Sequence, residues 1–177
     1  MTSADDAPIR RKPVPGQPEA LEVTIVELEV VRVAVIRSIV ATEDVPDFMS
    51  DALELVAGAL REAGLAPAGP PFARYHSMSP EGIDIAAGFP VAGPFLGASV
   101  VHPGELPAGP AAVASFVGPY DGLEAAWATL RRRIGELGRT RGDDPWEVYF
   151  IGPGSGVDEA AWRTELVWPL APDGPGR

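Results

Sequence analysis

Apolar residues in the first half of the chain change from an alternating to a helical spacing. Residues 21–40 alternate in part between apolar and charged side chains, which predicts strands. Apolar side chains then recur every three or four positions, which predicts a helix that Gly64 ends. The predicted elements are strands at about Leu21–Val31 and Arg32–Ile39, a helix that begins after an acidic cap at Asp44, and strands at Phe72–His76 and Ile83–Val91.

The second half of the chain follows the same plan. Its helical stripe begins at Leu123, contains Trp127 and ends before Gly138. The helix is preceded by Asp121, a residue type that often caps helices. The other predicted elements are strands at Leu96–Val101 and Ala111–Val117 with a turn at Pro103–Pro107 between them, and strands at Pro145–Tyr149 and Arg163–Leu170.

The two halves align with a nearly constant offset. An offset of 74 positions relates the two helical stripes, Gly64 to Gly138, and Tyr75 to Tyr149. We interpret this as two copies of a strand–helix–strand–strand unit, about residues 21–93 and 94–170, related by a pseudo-twofold axis. The predicted fold class is α+β, with one antiparallel sheet, two main helices and a central ligand cleft at the seam.

The strand at residues 144–150 carries one carboxylate among apolar and aromatic side chains. Alternation places Glu147 and Tyr149 on the same face of this strand. A carboxylate beside a phenol indicates a pocket for a polar or cationic molecule, and a solvated strand face is the open alternative. The offset pairs Glu147 with Ala73, so the carboxylate breaks the symmetry of the repeat.

Composition and charge exclude several classes of function. The net charge of −11 over 177 residues argues against a nucleic-acid surface, and we predict no direct nucleic-acid binding. The absence of cysteine excludes disulfides and zinc–thiolate sites, and His76 and His102 are too few for a metal site, so we expect neither metal nor cofactor. No apolar run has membrane-spanning length, which predicts a cytoplasmic protein without membrane contact. Residues 1–20 read as a disordered leader and 171–177 as a flexible tail.

Six short motifs, in this order and spacing, resemble one known family. That family is the GyrI-like small-molecule-binding domain, the effector-binding domain of bacterial multidrug-sensing regulators of the MerR and AraC types. The resemblance covers about residues 21–170. The motifs are Gly-Pro-Pro-Phe-Ala-Arg-Tyr (Gly69–Tyr75), Asp-Ile-Ala-Ala-Gly-Phe-Pro-Val (Asp84–Val91), Leu-Pro-Ala-Gly (Leu106–Gly109), Gly-Pro-Tyr-Asp-Gly-Leu (Gly118–Leu123), Pro-Trp-Glu-Val-Tyr (Pro145–Tyr149) and the ending Trp162–Leu170.

The resemblance implies a role for the central carboxylate. In the family, the Glu of the Trp-Glu-x-Tyr strand lies at the bottom of an aromatic pocket and faces lipophilic cations, and Glu147 and Tyr149 match that strand. The family often has a second Glu at the position of Ala86, where this chain departs from the pattern. Glu165, the repeat counterpart of Ala86, keeps a carboxylate in the second unit.

We expect no DNA-binding domain at either end of the chain, which resembles the stand-alone members of the family. Those include drug-binding proteins, a gyrase-inhibiting protein and enzymes that hydrolyse cyclopropane-bearing alkylating natural products. Three functions therefore remain open. They are binding of lipophilic, often cationic or planar aromatic molecules, hydrolysis of such electrophiles, and interaction with an unidentified protein partner.

Binding is favoured over catalysis, because an aromatic cleft with one carboxylate suffices for a flat cation. An enzyme would use Glu147 as general base, with Tyr149, Tyr120 or Tyr75 as a proton donor. Trp127 also fits a core position on its helix, and Phe89 and Trp168 are repeat counterparts beside prolines. The candidate ligand-binding residues are Glu147, Tyr149, Tyr75, Tyr120, Trp127, Phe89, Trp168 and Glu165.

Overall fold

A computed structural model of the protein describes residues 21–172. The predicted leader and most of the predicted tail therefore lie outside the described residues. None of the helices within residues 21–172 is long and apolar enough to cross a membrane. The elements are β1 (Val23–Leu28), β2 (Val31–Val40), α1 (Val45–Glu62), β3 (Phe72–Ser79), β4 (Gly82–Pro90), β5 (His102–Leu106), β6 (Gly109–Val117), α2 (Leu123–Glu136), β7 (Trp146–Ile151) and β8 (Arg163–Pro169).

The eight strands form one antiparallel sheet in the order β1-β6-β8-β7-β3-β4-β2-β5. The two halves of the sheet are arranged alike on either side of the central pair β7 and β3. Outward from the centre, β8 and then β6 follow β7, and β4 and then β2 follow β3. β1 and β5 extend the two edges. The predicted α+β fold, with two main helices and a single antiparallel sheet, is confirmed.

The sheet has two apolar faces, which we call the helix face and the inner face. On the helix face, α1 buries Val56 and Leu60 and α2 buries Leu130 and Ile134. On the inner face, one apolar cluster contains Phe72 and Trp146 from the central strands, together with Leu28 and Leu106 from the two edge strands β1 and β5. Because residues from both edges meet in one cluster, the sheet is curled into a half-barrel around its inner face.

The centre of the sheet is the junction of β3 and β7. Ala73 is the register partner of Glu147 in this antiparallel pair. The amide of Tyr75 donates to the carbonyl of Pro145, and the amide of Tyr149 donates to the carbonyl of Pro71, each at 2.9 Å. The two hydrogen bonds join residues related by the 74-position offset. The junction is therefore symmetric in its backbone around the Ala73–Glu147 pair.

Both helices end at glycine, as the sequence predicts. Gly64 and Gly138 have φ angles of 71° and 67°, which a residue without Cβ adopts easily. The amide after each glycine bonds to a carbonyl five positions back, at 2.8 Å for Leu65 and 3.1 Å for Arg139. Asp44 occupies the predicted N-cap position of α1 but makes no capping hydrogen bond. The prediction for Asp121 is wrong, because it lies in a short 3-10 turn and Gly122 is the N-cap of α2.

The strand predicted at Leu96–Val101 is also wrong. The strand in this region is β5, which occupies most of the predicted turn at Pro103–Pro107 and pairs with β2. Proline at Pro103 argued for a turn, since it cannot donate to a ladder. An edge strand tolerates proline, because one of its sides needs no partner. The sequence pattern does not reveal that this segment lies at an edge.

Candidate functional site

The carboxylate of Glu147 lies on the helix face of β7 and is almost completely buried, with 3% of the residue exposed. Three side chains donate hydrogen bonds to it. The Tyr149 hydroxyl donates to Oε2 at 2.5 Å, the Tyr75 hydroxyl donates to the same oxygen at 3.0 Å, and Trp127 Nε1 donates to Oε1 at 2.6 Å. Both carboxylate oxygens of Glu147 therefore accept hydrogen bonds, and all three donors are neutral aromatic side chains.

Strand alternation and register explain why two tyrosines reach the same oxygen. Tyr149 follows Glu147 by two positions, so both side chains leave β7 on the same face. Tyr75 follows Ala73 by two positions on the neighbouring strand, and Ala73 lies opposite Glu147. The small side chain of Ala73 leaves room for the carboxylate between the two phenols.

Trp127 completes the site from above the sheet. It lies on α2, and its ring also packs edge-on against Trp168 at a centroid distance of 5.4 Å. Its helical position had favoured a role in the core. The structure gives it a second role, because its indole N–H is the third donor to Glu147.

No positive side chain pairs with Glu147 among the ion pairs of residues 21–172. A buried carboxylate without an opposite charge is costly, and hydrogen bonds offset only part of that cost. The described residues therefore supply Glu147 with neutral hydrogen-bond donors and with no positive charge.

The two tyrosines that contact Glu147 stay protonated over a wide range of pH. Burial raises the pKa of Tyr75, and the nearby Glu147 carboxylate raises it further. Burial is also the main cause of the raised pKa of Tyr149, to which Tyr75 and Glu147 add. Both phenols are therefore hydrogen-bond donors at neutral pH.

Two more aromatic rings lead from this cluster toward the surface. Tyr120 contacts Tyr149 edge-on, with ring centroids 5.7 Å apart, and Trp162 packs against Tyr120 at 4.9 Å. Burial raises the pKa of Tyr120 as well. No pattern in the sequence marks the contact of Trp162 with Tyr120, because the long β7–β8 loop brings Trp162 there.

The site is closed in this conformation. Three surface cavities have volumes of about 310, 390 and 470 Å³, and Glu147 lines none of them. Trp127 and Tyr120 lie between α2, the β7–β8 loop and the carboxylate. The aromatic side chains of Trp127 and Tyr120 thus cover the buried carboxylate in this conformation.

Three further candidates from the sequence lie apart from the carboxylate or touch it only indirectly. Phe89 packs with the core residues beneath α1. Trp168 reaches the site only through Trp127, and its Nε1 donates to the carbonyl of Gly142 at 3.0 Å. Glu165 is the register partner of Val148, so it leaves the sheet on the inner face, where burial raises its pKa. The sheet thus separates Glu165 from Glu147.

The residues described here contain no group of three or more His, Cys, Asp or Glu side chains that could hold a metal ion. The chemistry available at Glu147 is therefore that of one carboxylate, two phenols and an indole. Such a set can neutralise a cation, stack on aromatic rings and exchange protons.

The family is established by comparison with known proteins. The model of the GyrI-like small molecule binding domain matches residues 21–171, which is most of the chain, and the protein belongs to this family. The resemblance drawn from the six motifs is confirmed. A search of curated proteins finds no match.

Solved structures with the same fold have low sequence identity. The C-terminal domain of EcmrR matches with a TM-score of 0.76 and 21% identity, covering 86% of this chain and 99% of that domain. A hydrolase from Listeria innocua matches with a TM-score of 0.62 and 10% identity, over 88% and 94%. SAV2435 bound to tetraphenylphosphonium matches with a TM-score of 0.61 and 11% identity, over 85% and 94%.

The prediction of no direct nucleic-acid binding is wrong. EcmrR in complex with DNA matches with a TM-score of 0.75 and 22% identity, and this chain covers 85% of its own length but only 57% of that protein. The same fold is thus part of a DNA-bound protein. The net charge of −11 argues against a basic surface on this domain, but it says nothing of DNA contacts made by other parts of an assembly.

Proposed function

We propose that this domain binds lipophilic, cationic or planar aromatic small molecules at Glu147. The observation that carries the proposal is a carboxylate that is 3% exposed, contacts only neutral donors and is surrounded by aromatic rings. A delocalised cation supplies the missing charge without requiring water to enter. Its low hydration makes its own transfer into an apolar cleft less costly than that of an ammonium ion.

The ligand takes the place of the aromatic side chain that covers Glu147. Trp127 gives up its hydrogen bond to Glu147, and the cation then faces Glu147 and the rings of Tyr75, Tyr149 and Tyr120. Each cation–π contact adds about 0.5–2 kcal/mol. Stacking and one charge demand little exact shape, so we expect several chemically different cations to bind.

Two comparisons support this class of ligand. The family is one of small-molecule-binding domains. SAV2435, which has the same fold, is bound to tetraphenylphosphonium, a lipophilic cation. We therefore choose tetraphenylphosphonium as the probe for this protein.

Calorimetric titration with tetraphenylphosphonium and with tetraphenylborate tests the proposal. The two ions have nearly the same shape and opposite charges, so the comparison isolates the effect of the ligand's charge. We expect saturable binding of the phosphonium at one site, at least about tenfold tighter than any binding of the borate, which corresponds to about 1.4 kcal/mol. Equal affinity for the two ions would contradict the proposal.

A hydrolase function is the second candidate, and the pair of protonated phenols on one carboxylate oxygen favours it. In opening a cyclopropane, Glu147 would take a proton from water, the hydroxyl oxygen would bond to carbon, and a tyrosine would protonate the other end of the broken carbon–carbon bond. Incubation with a cyclopropane-bearing alkylator and mass spectrometry would detect product heavier by one water. Unchanged substrate in the presence of folded protein would remove this candidate.

A further inference from the structure

Tyr120 lies between the Glu147 site and the β7–β8 loop, which comprises residues 152–162. It belongs to the short 3-10 turn before α2 and is half-buried. Its ring packs against Tyr149 at a centroid distance of 5.7 Å and against Trp162 at 4.9 Å. Burial raises the pKa of Tyr120, and the nearby charge of Glu147 raises it further. Tyr120 is therefore the ring that separates the carboxylate from the loop.

The hydroxyl of Tyr120 lies directly against Gly152, the first residue after β7. A Cβ added at Gly152 would lie 2.5 Å from the hydroxyl oxygen and 3.6 Å from the ring carbon Cζ, and the first of these distances is too short for atoms in contact. Two other glycines of the loop, Gly154 and Gly156, have φ angles of 83° and 74°, whereas Gly152 has no positive φ. Glycine at this position is therefore required by the Tyr120 hydroxyl and not by the backbone.

The β7–β8 loop contacts Tyr120 at its two ends and is exposed between them. Residues 153–161 are all exposed. At the far end, Trp162 packs on the Tyr120 ring, and its carbonyl accepts a hydrogen bond from the amide of Gly118 at 2.9 Å. The indole of Trp162 donates to the carbonyl of Val157 at 3.2 Å, within the loop itself. Segments that bury few apolar contacts open at a low cost in free energy, so this loop can move while the sheet and the helices stay folded.

The other ring that covers Glu147 is held more firmly. Trp127 donates a hydrogen bond of 2.6 Å to the carboxylate and packs edge-on against Trp168. Trp168 is itself fixed, because its indole donates to the carbonyl of Gly142 at 3.0 Å. A hydrogen bond to a buried charged group is stronger than a contact between two rings. Tyr120, which is held by ring contacts, therefore moves more easily than Trp127.

We infer that Tyr120 is the gate of the Glu147 site and that Gly152 fixes its closed position. This inference rests on the proposed binding of a cation at Glu147. When the β7–β8 loop moves, the Tyr120 ring leaves its closed position and opens a path to the carboxylate between the loop and α2. The ligand then reaches Trp127 and takes its place at Glu147. Because the closed state excludes the ligand, each contact that favours the closed state slows binding.

Gly152→Ala opens the gate without altering a side chain that contacts Glu147. The added methyl group and the Tyr120 hydroxyl cannot occupy their positions together, so the ring must leave its closed position. Removal of the hydroxyl should restore the closed state. In the double variant Gly152→Ala/Tyr120→Phe, the methyl group lies 3.6 Å from the nearest ring carbon, which is an ordinary van der Waals contact. The double variant thus separates the effect of the gate from a general disturbance of the loop.

Stopped-flow tryptophan fluorescence with tetraphenylphosphonium measures how fast the ligand associates. We expect association to be at least about threefold faster in Gly152→Ala than in the wild-type protein, because a larger fraction of the molecules is open. The double variant should return to the wild-type rate. Gly135→Ala is the matched control, because it adds the same methyl group to α2, where it meets open space. It should keep the wild-type rate.

Alkaline titration of the proteins without ligand checks the position of the ring itself. Burial is the main cause of the raised pKa of Tyr120, so the displaced phenol in Gly152→Ala should ionise at a lower pH than in the wild-type protein. The double variant lacks this phenol and identifies its contribution to the absorbance. Ionisation at the same pH in folded Gly152→Ala and in the wild-type protein would overturn the gate.

A second variant decides the matter if Gly152→Ala does not fold. Trp162→Ala removes the ring that packs on Tyr120 from the far end of the loop. It should also speed the association of tetraphenylphosphonium by at least about threefold, because it weakens the closed state. An unchanged rate in folded Trp162→Ala would overturn the gate.

Two further results would overturn it. They are a wild-type association rate in folded Gly152→Ala, and a faster rate that the double variant retains. A failure of the proposed function gives a different result, because tetraphenylphosphonium and tetraphenylborate then bind with equal affinity in the wild-type protein and in every variant. A failure of the gate leaves the preference for the phosphonium intact and removes only the effect of Gly152→Ala on the rate.

Discussion

Ala73 and Glu147 face each other at the centre of the sheet, and their backbone surroundings match while their side chains do not. The amides of Tyr75 and Tyr149 make equivalent hydrogen bonds on either side of this pair. The small side chain of Ala73 leaves space between the two tyrosines, and the carboxylate of Glu147 occupies that space. Symmetry in the backbone thus gives one buried acid two tyrosine donors, one from each central strand.

The helices differ in the same way. Trp127 on α2 takes the position that Leu53 has on α1 under the 74-position offset, and only the indole can donate to Glu147. We predict that Trp127→Phe lowers the free energy of unfolding by about 1.5–3 kcal/mol, the range for a hydrogen bond to a charged group. A double-mutant cycle measures the coupling energy between Trp127 and Glu147. It compares urea unfolding of Trp127→Phe, of Glu147→Gln and of the double variant, and we expect a coupling of about 0.5–3 kcal/mol.

Trp162→Phe is the matched control for that cycle. The indole of Trp162 donates to the exposed carbonyl of Val157 and not to the Glu147 carboxylate. Its coupling to Glu147→Gln should be close to zero. A coupling as large as that of Trp127 would show that the cycle reports general loosening of the aromatic cluster.

The buried tyrosines predict a loss of stability at alkaline pH. Tyr75 and Tyr149 have raised pKa values in the folded protein, so they keep their protons where the unfolded chain has lost them, above about pH 10. The unfolded state then binds fewer protons, and the free energy of unfolding falls by up to about 1.4 kcal/mol per pH unit for each tyrosine.

Phenolate absorption during alkaline titration checks this directly. Tyr120, which is less buried, should ionise first, and the other two tyrosines should ionise only as the protein unfolds. Tyr75→Phe should make the loss of stability with pH shallower. Complete ionisation of all three tyrosines near pH 10 in folded protein would rule out the buried hydrogen-bonded arrangement.

A close backbone approach in the sheet makes another residue critical. A Cβ added at Gly88 would lie 1.9 Å from the carbonyl oxygen of Ala34 on the neighbouring strand. Gly88→Ala must push β4 away from β2, and we predict that it lowers the free energy of unfolding by about 3 kcal/mol or more. Gly135→Ala on α2 meets open space and should raise stability by about 0.5–1 kcal/mol. Denaturant unfolding of the two variants should therefore give shifts of opposite sign.

The sequence was sufficient for the features that local periodicity controls. Both helices, their glycine ends and the central strands follow from spacing alone, and alternation placed Glu147 and Tyr149 on one face. The 74-position offset pairs Tyr75 with Tyr149 and so predicts Tyr75 at the same site. Edge strand β5 was missed because its proline and glycine resemble a turn, and only its pairing with β2 makes it a strand.

Contacts that depend on register or on loop paths could not be predicted. Glu165 was expected in the cleft, but the pairing with Val148 fixes it on the inner face. The contact between His76 and Asp144 depends on an irregularity in β3 between Tyr75 and Ser77, which no sequence pattern indicates. The net charge was also a poor guide to nucleic-acid partners, because a domain with this fold is part of a protein that is bound to DNA.

The most direct test of the central claim is the affinity for tetraphenylphosphonium in Glu147→Gln and Glu165→Gln, measured by calorimetry on folded protein. Both changes remove one carboxylate and keep its shape, but only Glu147 contacts the tyrosines and Trp127 on the helix face. We predict a loss of at least about tenfold in Glu147→Gln and an unchanged affinity in Glu165→Gln. Binding that survives Glu147→Gln, or that is lost in Glu165→Gln instead, would contradict the account.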